Sequence, residues 1–127
     1  MDGLSVGIRF DPLAFKAYSK NEGYALINIT SKDNPGTYWC EFDVTLKSPL
    51  SLAPDKELDA GRTRVGIIKP GSSIERKIRI YTRPNNYPDS YPMVFTFYMY
   101  GEDGAIAERI EKREEIPCLE AKNTNVR

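Results

Sequence analysis

The chain has 127 residues, and its 18 lysines and arginines are matched by 18 aspartates and glutamates, so no global field draws it to nucleic acid or an anionic membrane. It contains no histidine, which excludes serine-histidine and cysteine-histidine nucleophilic sites, imidazole acid-base chemistry and most catalytic zinc centres. No apolar run approaches the roughly 20 residues of a membrane-spanning helix, and Met1-Asp2-Gly3 has neither the basic nor the apolar character of a signal peptide, so the expectation is a soluble, cytoplasmic protein.

Turn signals at short intervals, among them Asp11-Pro12, Asp33-Asn34-Pro35-Gly36, Ser48-Pro49, Lys69-Pro70-Gly71 and Gly101 to Gly104, divide the chain into candidate strands. In order these are residues 4–10, 13–18, 24–31, 37–47, 64–68, 74–82, 91–100 and 105–119. That spacing predicts an all-β fold, an antiparallel β-sandwich of seven to eight strands, in a single domain over residues 1–119 with a polar tail at 120–127. A domain of this size buries about two thirds of its unfolded surface, so neither a disulfide nor a metal is required.

Residues 24–31 place Ile27 and Ile29 on one face. In 37–47 the parity is sharper, with Tyr38, Cys40, Phe42, Val44 and Leu46 on the face for a core, and Thr37, Trp39, Glu41, Asp43, Thr45 and Lys47 outward. The only tryptophan therefore stands on the polar face. In 74–82, Ile74, Ile78 and Ile80 face in while Glu75, Lys77, Arg79 and Tyr81 face out; Arg76 shares the core parity, which predicts a place at a sheet edge or in an ion pair.

In 91–100 the odd positions Tyr91, Met93, Phe95, Phe97 and Met99 are large and apolar, and Tyr98 and Tyr100 lie on the other face. The Asp89-Ser90-Tyr91 opening resembles the tyrosine corner of immunoglobulin-like sandwiches, whose hydroxyl ties the incoming loop to the sheet. Pro92 is acceptable only near the start of such a strand, because it lacks a ladder donor. Residues 105–115 are rich in helix formers, so a helix is an alternative there. A strand is favoured because Gly101-Glu102-Asp103-Gly104 signals a hairpin and Ile106, Ile110, Ile116 and Cys118 share one parity.

With Gly23-Tyr24-Ala25-Leu26-Ile27-Asn28-Ile29-Thr30, Lys69-Pro70-Gly71 before Ile78-Arg79-Ile80-Tyr81, and Tyr91-Pro92-Met93-Val94-Phe95, the chain resembles archaeal immunoglobulin-like modules of the cell-adhesion-related CARDB type. It is similar, second, to PapD-like and major-sperm-protein sandwiches. The resemblance implies adhesion, assembly or spacer work, with no catalytic residue to carry over. Unlike an antibody domain, the strand with Trp39 would turn Tyr38 or Cys40 inward, and Met93 stands where a second disulfide cysteine would be.

Three constellations are candidates for chemistry. Trp39, Tyr98 and Tyr100 fall side by side on the outward face if the two strands pair antiparallel, as an exposed aromatic patch that anchors a protein partner or a second copy or stacks on a sugar or another ring, or as a minor second core beneath the last segment or the tail. Residues 62–83 carry Arg62, Arg64, Lys69, Arg76, Lys77, Arg79 and Arg83 against Glu75 alone, a basic stripe for an anionic ligand such as nucleic acid or an acidic partner, or a plain solvated face; the solvated face is favoured, because no nucleic-acid motif accompanies the stripe. Carboxylate pairs such as Glu41 with Asp43 have no calcium-loop spacing and read as solvated. Cys40 and Cys118 read as buried free thiols, with a disulfide as the alternative. The function expected is a non-enzymatic interaction or structural module, with no catalytic residue, cofactor or metal; Arg62, Arg64, Lys77, Arg79 and Arg83 carry the alternative.

Overall fold

The computed structural model describes residues 3–120, and every helix or strand element in that range is a strand. The strands are β1 (Leu4–Asp11), β2 (Phe15–Lys16), β3 (Asn21–Ser31), β4 (Tyr38–Leu46), β5 (Leu50–Ser51), β6 (Ala60–Ile68), β7 (Ser73–Thr82), β8 (Asp89–Tyr100) and β9 (Ile106–Leu119). They form a four-stranded sheet in the order β1-β3-β7-β5 and a curled five-stranded sheet in the order β2-β9-β8-β4-β6. Of the tail expected at 120–127, residues 121–127 lie outside the described residues.

One hydrophobic core joins the two sheets. Met93, Phe95, Phe97 and Met99 of β8 and Cys40, Phe42, Val44 and Leu46 of β4 meet Ala25, Ile27 and Ile29 of β3 and Ile80 of β7, all buried. Phe42, Phe95 and Phe97 cluster at its centre, with tilted ring pairs whose centroids are 5.1 Å apart for Phe42 and Phe97 and 6.1 Å for Phe42 and Phe95. The alternation read in residues 37–47 and 91–100 thus becomes two facing rows, each inward residue of β8 opposite an inward residue of β4 (Phe42 beside Phe97, Val44 beside Phe95).

The described residues hold nine strands against the expected seven to eight, the addition being β5, which like β2 is only two residues long. β2 retains Phe15–Lys16 from the segment expected at 13–18, pairing parallel to the end of β9, and β5 adds Leu50–Ser51 beside β7. Pieces this short have no period to read. β6 starts at Ala60 rather than Arg64, since Gly61 and Thr63 offer no apolar signal on its inward side.

Of residues 105–115, all but Ala105 lie in β9, which pairs antiparallel with β8 from Ile106 to Cys118, so sheet context overrides helix propensity. The hairpin closes with Gly104 N–H donating to the Gly101 carbonyl at 3.0 Å and with Gly104 at φ +82°. One expectation fails here. Ile106 does not share the face of Ile110, because a bulge at Ala107 shifts the register; Ile110 lies opposite buried Phe97, while Ile106 lies opposite Tyr100 on the outer face.

Pro92 pairs with Glu115 of β9, and β4 reaches β8 only from Met93 onward, so the proline stands where β8 is still an edge on its other side. The corner expected at Tyr91 is present as a hydrogen-bonded tie. The Tyr91 hydroxyl donates to the Tyr87 carbonyl at 2.6 Å and accepts from the Tyr87 N–H at 3.1 Å.

Beside it, Asn86 is a fully buried polar peg that sequence patterning does not signal. Its Nδ2 donates to the carbonyls of Ser19 at 2.7 Å and Arg83 at 2.6 Å, and its Oδ1 accepts from the Tyr18 N–H at 2.8 Å. The loops β2–β3 and β7–β8 are thereby locked together. Cys118 adds its thiol to the same oxygen at 3.2 Å.

Candidate outer-face interaction surface

The outward residues of the five-stranded sheet are positioned by the strand pairing just described. Trp39 of β4 lies directly opposite Tyr100 of β8 on one side and Ile67 of β6 on the other, and Tyr100 lies opposite Ile106 of β9. Ile67, Trp39, Tyr100 and Ile106 therefore form one row across four adjacent strands, about 15 Å wide at the usual strand spacing. Ile67, Trp39 and Ile106 are 56%, 39% and 55% exposed, and Tyr100 is half-buried among them. Single exposed apolar side chains are ordinary, but a laterally continuous row is not.

All three aromatic residues singled out in the sequence are on this face. Tyr98 stands one step further along β8, opposite Glu41 on β4 and Arg109 on β9. β9 lies beside β8 in the sheet, so the last strand flanks the rings and does not cover them. Ile67 and Ile106 extend the patch beyond the sequence reading. Both are turned outward by irregularities: the Ala107 bulge for Ile106, and for Ile67 a bulge in β6 where Cys40 faces Gly66 and Glu41 faces Arg64. A glycine inside an apolar strand run is the one signal for such a bulge, and Gly66, at φ +124°, is that glycine.

Next to the apolar row lies an ion-pair cluster. Arg62 donates from Nε to Asp43 Oδ1 at 2.6 Å and from Nη2 to Asp43 Oδ2 at 2.9 Å, while its Nη1 reaches Glu41 Oε1 at 3.2 Å. The guanidinium also lies 5.6 Å from the centre of the Tyr98 ring. Tyr100 donates its hydroxyl to the same Glu41 oxygen at 3.0 Å. The hydrogen bonds from Arg62 hold the Asp43 carboxyl below the usual carboxylate range, and the bond to Glu41 raises the phenol of Tyr100. Glu41 and Asp43 are thus a clamp on Arg62 rather than two solvated carboxylates, which corrects the sequence reading of that pair.

The basic stripe is divided by the fold. Arg62 and Arg64 lie on β6 in the five-stranded sheet, Lys77 and Arg79 on β7 in the four-stranded sheet, and Arg83 in the loop that follows β7. Their strands belong to different layers, so the five cations do not make one surface, and Arg62 is already paired. On the smaller sheet, Lys77 Nζ and the Arg79 guanidinium lie 5.5 Å and 5.7 Å from the Tyr24 ring centre, with Glu22 3.9 Å from Arg79. Arg76 is exposed and donates to the Glu75 carbonyl at 2.9 Å, opposite Ile27 but beyond the cover of the core. Cys40 and Cys118 are free and buried.

No protein-family model matches the chain, and no curated protein matches it by sequence. Solved structures do match its fold. BslA, described as a bacterial hydrophobin, is 9% identical with a TM-score of 0.58, covering 97% of this chain and 98% of its own. An ApaA protein from Bordetella pertussis is 16% identical with a TM-score of 0.50 and 91% of each chain covered. A FixG-related protein from Vibrio parahaemolyticus is 10% identical with a TM-score of 0.50, covering 93% of this chain and 98% of its own. At such identities the likeness is one of all-β fold.

Proposed function

We propose that the chain is an immunoglobulin-like sandwich acting as a non-enzymatic protein-interaction module through the outer face of its five-stranded sheet. The strand orders support the architecture: β1-β3-β7-β5 corresponds to the A-B-E-D sheet and β9-β8-β4 to G-F-C of immunoglobulin-like domains, and the Tyr91 tie stands near the start of the strand in the F position. The observation that carries the function is the row Ile67–Trp39–Tyr100–Ile106, an apolar stripe bordered by the Arg62, Asp43 and Glu41 cluster. An apolar centre with a charged margin is the anatomy of a protein interface. A second copy or another protein satisfies it equally.

Sedimentation over a wide concentration range tests this, in the presence and absence of candidate partners from the same source. Expected is a complex that Trp39→Ala combined with Ile106→Ser abolishes while the melting temperature stays within a few degrees of wild type. Loss of several kcal/mol of stability in that variant would assign the row to packing and overturn the reading.

A second reading, an anionic ligand, is favoured only on the smaller sheet, where Lys77 and Arg79 flank Tyr24. Its signature is binding to heparin that weakens steeply with salt. Salt-independent retention would exclude it.

A further inference from the structure

The far end of β8 from the Trp39 row carries a second exposed aromatic group, built from the loops after β2, β4 and β7. Tyr18 has φ +61°, a left-handed conformation that is unfavourable for a large side chain. It is held there by Asn86, whose Oδ1 and backbone carbonyl both accept from the Tyr18 N–H, at 2.8 Å and 3.1 Å. Tyr87, the next residue, has both its N–H and its carbonyl bonded to the Tyr91 hydroxyl. The two rings meet edge to face, with centroids 6.2 Å apart and planes at 88°. Even so, Tyr18 is 55% exposed and Tyr87 67% exposed. The fold fixes the backbone of both residues and leaves the rings in solvent, which is a cost that core packing does not explain.

Tyr87 also lines an open hollow of about 380 Å³ with Ser48, Pro49, Asn85, Asp89 and Tyr91. That volume falls at the low end of small-ligand sites, roughly 300–1,000 Å³. Ser48 and Asn85 each bring donor and acceptor capacity, and Asp89 brings acceptors. No lysine or arginine lines it, so a phosphate or an acidic ligand would meet a carboxylate without compensation.

We infer that this end of the molecule binds a neutral sugar. A pyranose ring has an apolar C–H face, which stacks on the Tyr87 ring, and a rim of hydroxyls that each donate and accept, matched to Ser48, Asn85 and Asp89; Tyr18 lies outside the lining of the hollow and packs against Tyr87 at right angles. A proline-rich peptide would instead need an elongated groove lined by several rings. The site lies eleven residues along β8 from Tyr100, about 36 Å at strand rise, so it stands or falls independently of the outer-face row.

Native gel electrophoresis of the full chain through dextran, mannan, galactomannan and hydroxyethyl cellulose tests the assignment. Retardation by at least one is expected, abolished in Tyr87→Ala, retained in Tyr87→Phe, weakened at least tenfold in Asp89→Asn, and unchanged in Trp39→Ala. Because the ties to Tyr87 use its backbone, Tyr87→Ala keeps the wild-type far-ultraviolet spectrum. Absence of retardation in all four gels, retardation that survives Tyr87→Ala, or Tyr87-dependent binding of a decaproline peptide without any sugar binding would each overturn the inference.

Discussion

Arg62 grips Asp43 with two parallel contacts, Nε to Oδ1 at 2.6 Å and Nη2 to Oδ2 at 2.9 Å, across the β4–β6 pair where the two residues are direct neighbours. Register alone brings them together, since opposite charges facing each other across antiparallel strands are a favourable pair. The pair also fixes Glu41 and, through it, the Tyr100 hydroxyl, so the charged cluster and the apolar row are mechanically one surface.

The first prediction is an acid sensitivity of that surface. Asp43 has a depressed carboxyl in the fold, so its contribution to stability is complete above the unfolded aspartate value near 4 and is lost as pH falls through the lower folded value. Melting temperature measured from about pH 6 down to pH 2 should fall less steeply for Asp43→Asn than for wild type. Equal slopes would mean the contact is not formed in solution.

Tyr91→Phe should destabilise the protein by about 1–2 kcal/mol, because it removes the 2.6 Å bond to the Tyr87 carbonyl and the acceptor for the Tyr87 N–H without changing ring volume. For a domain of this size that is a fall of roughly 3–8 °C in melting temperature. The same variant should loosen the β7–β8 loop, seen as faster hydrogen exchange at the Tyr87 amide.

Residues whose pattern repeats could be placed from the sequence, and those set by a single irregularity could not. The period of two in β4 and β8 assigns inward and outward faces over many residues, which is why the sequence alone puts Trp39 beside Tyr100. Ile67 and Ile106 escaped because one bulge each inverts parity locally. The division of the basic residues escaped for a different reason. Consecutive strands β6 and β7 look like a hairpin, yet the chain crosses between layers after Ile68, which no local pattern records. Asn86 has a turn residue's composition and a core residue's burial, and only the convergence of two loops distant in sequence reveals it.

The thiols provide the third prediction. Burial, with the Glu41 carboxylate beside it, pushes the Cys40 thiol up to about 12, and burial also raises Cys118. A thiol raised in the fold stabilises it below the unfolded value near 8.5–9 and loses that contribution as pH climbs toward the folded value. The protein should therefore weaken between about pH 9 and pH 12, and Cys40→Ala should weaken less steeply over the same range. In native buffer at pH 8, a thiol reagent should label neither cysteine at a rate faster than global unfolding. Rapid labelling of Cys40 would show that the β4–β6 edge opens locally.

Asn86→Ala should be among the most damaging polar substitutions in the chain, about 3 kcal/mol or more. It strands the Ser19 and Arg83 carbonyls and leaves the Tyr18 N–H with only the 3.1 Å contact to the residue 86 backbone. Asn86→Asp separates hydrogen bonding from volume. It keeps the acceptor for Tyr18 but replaces the amide donor with a buried charge facing two carbonyls, so it should cost at least as much at neutral pH and recover part of the loss on acidification as the carboxyl takes up a proton. Urea melts at pH 7 and pH 4 read both effects. If Asn86→Asp were as stable as wild type at pH 7, the amide would not be donating to Ser19 and Arg83, and the tie between the two loops would have to rest on the contacts to the Tyr18 N–H alone.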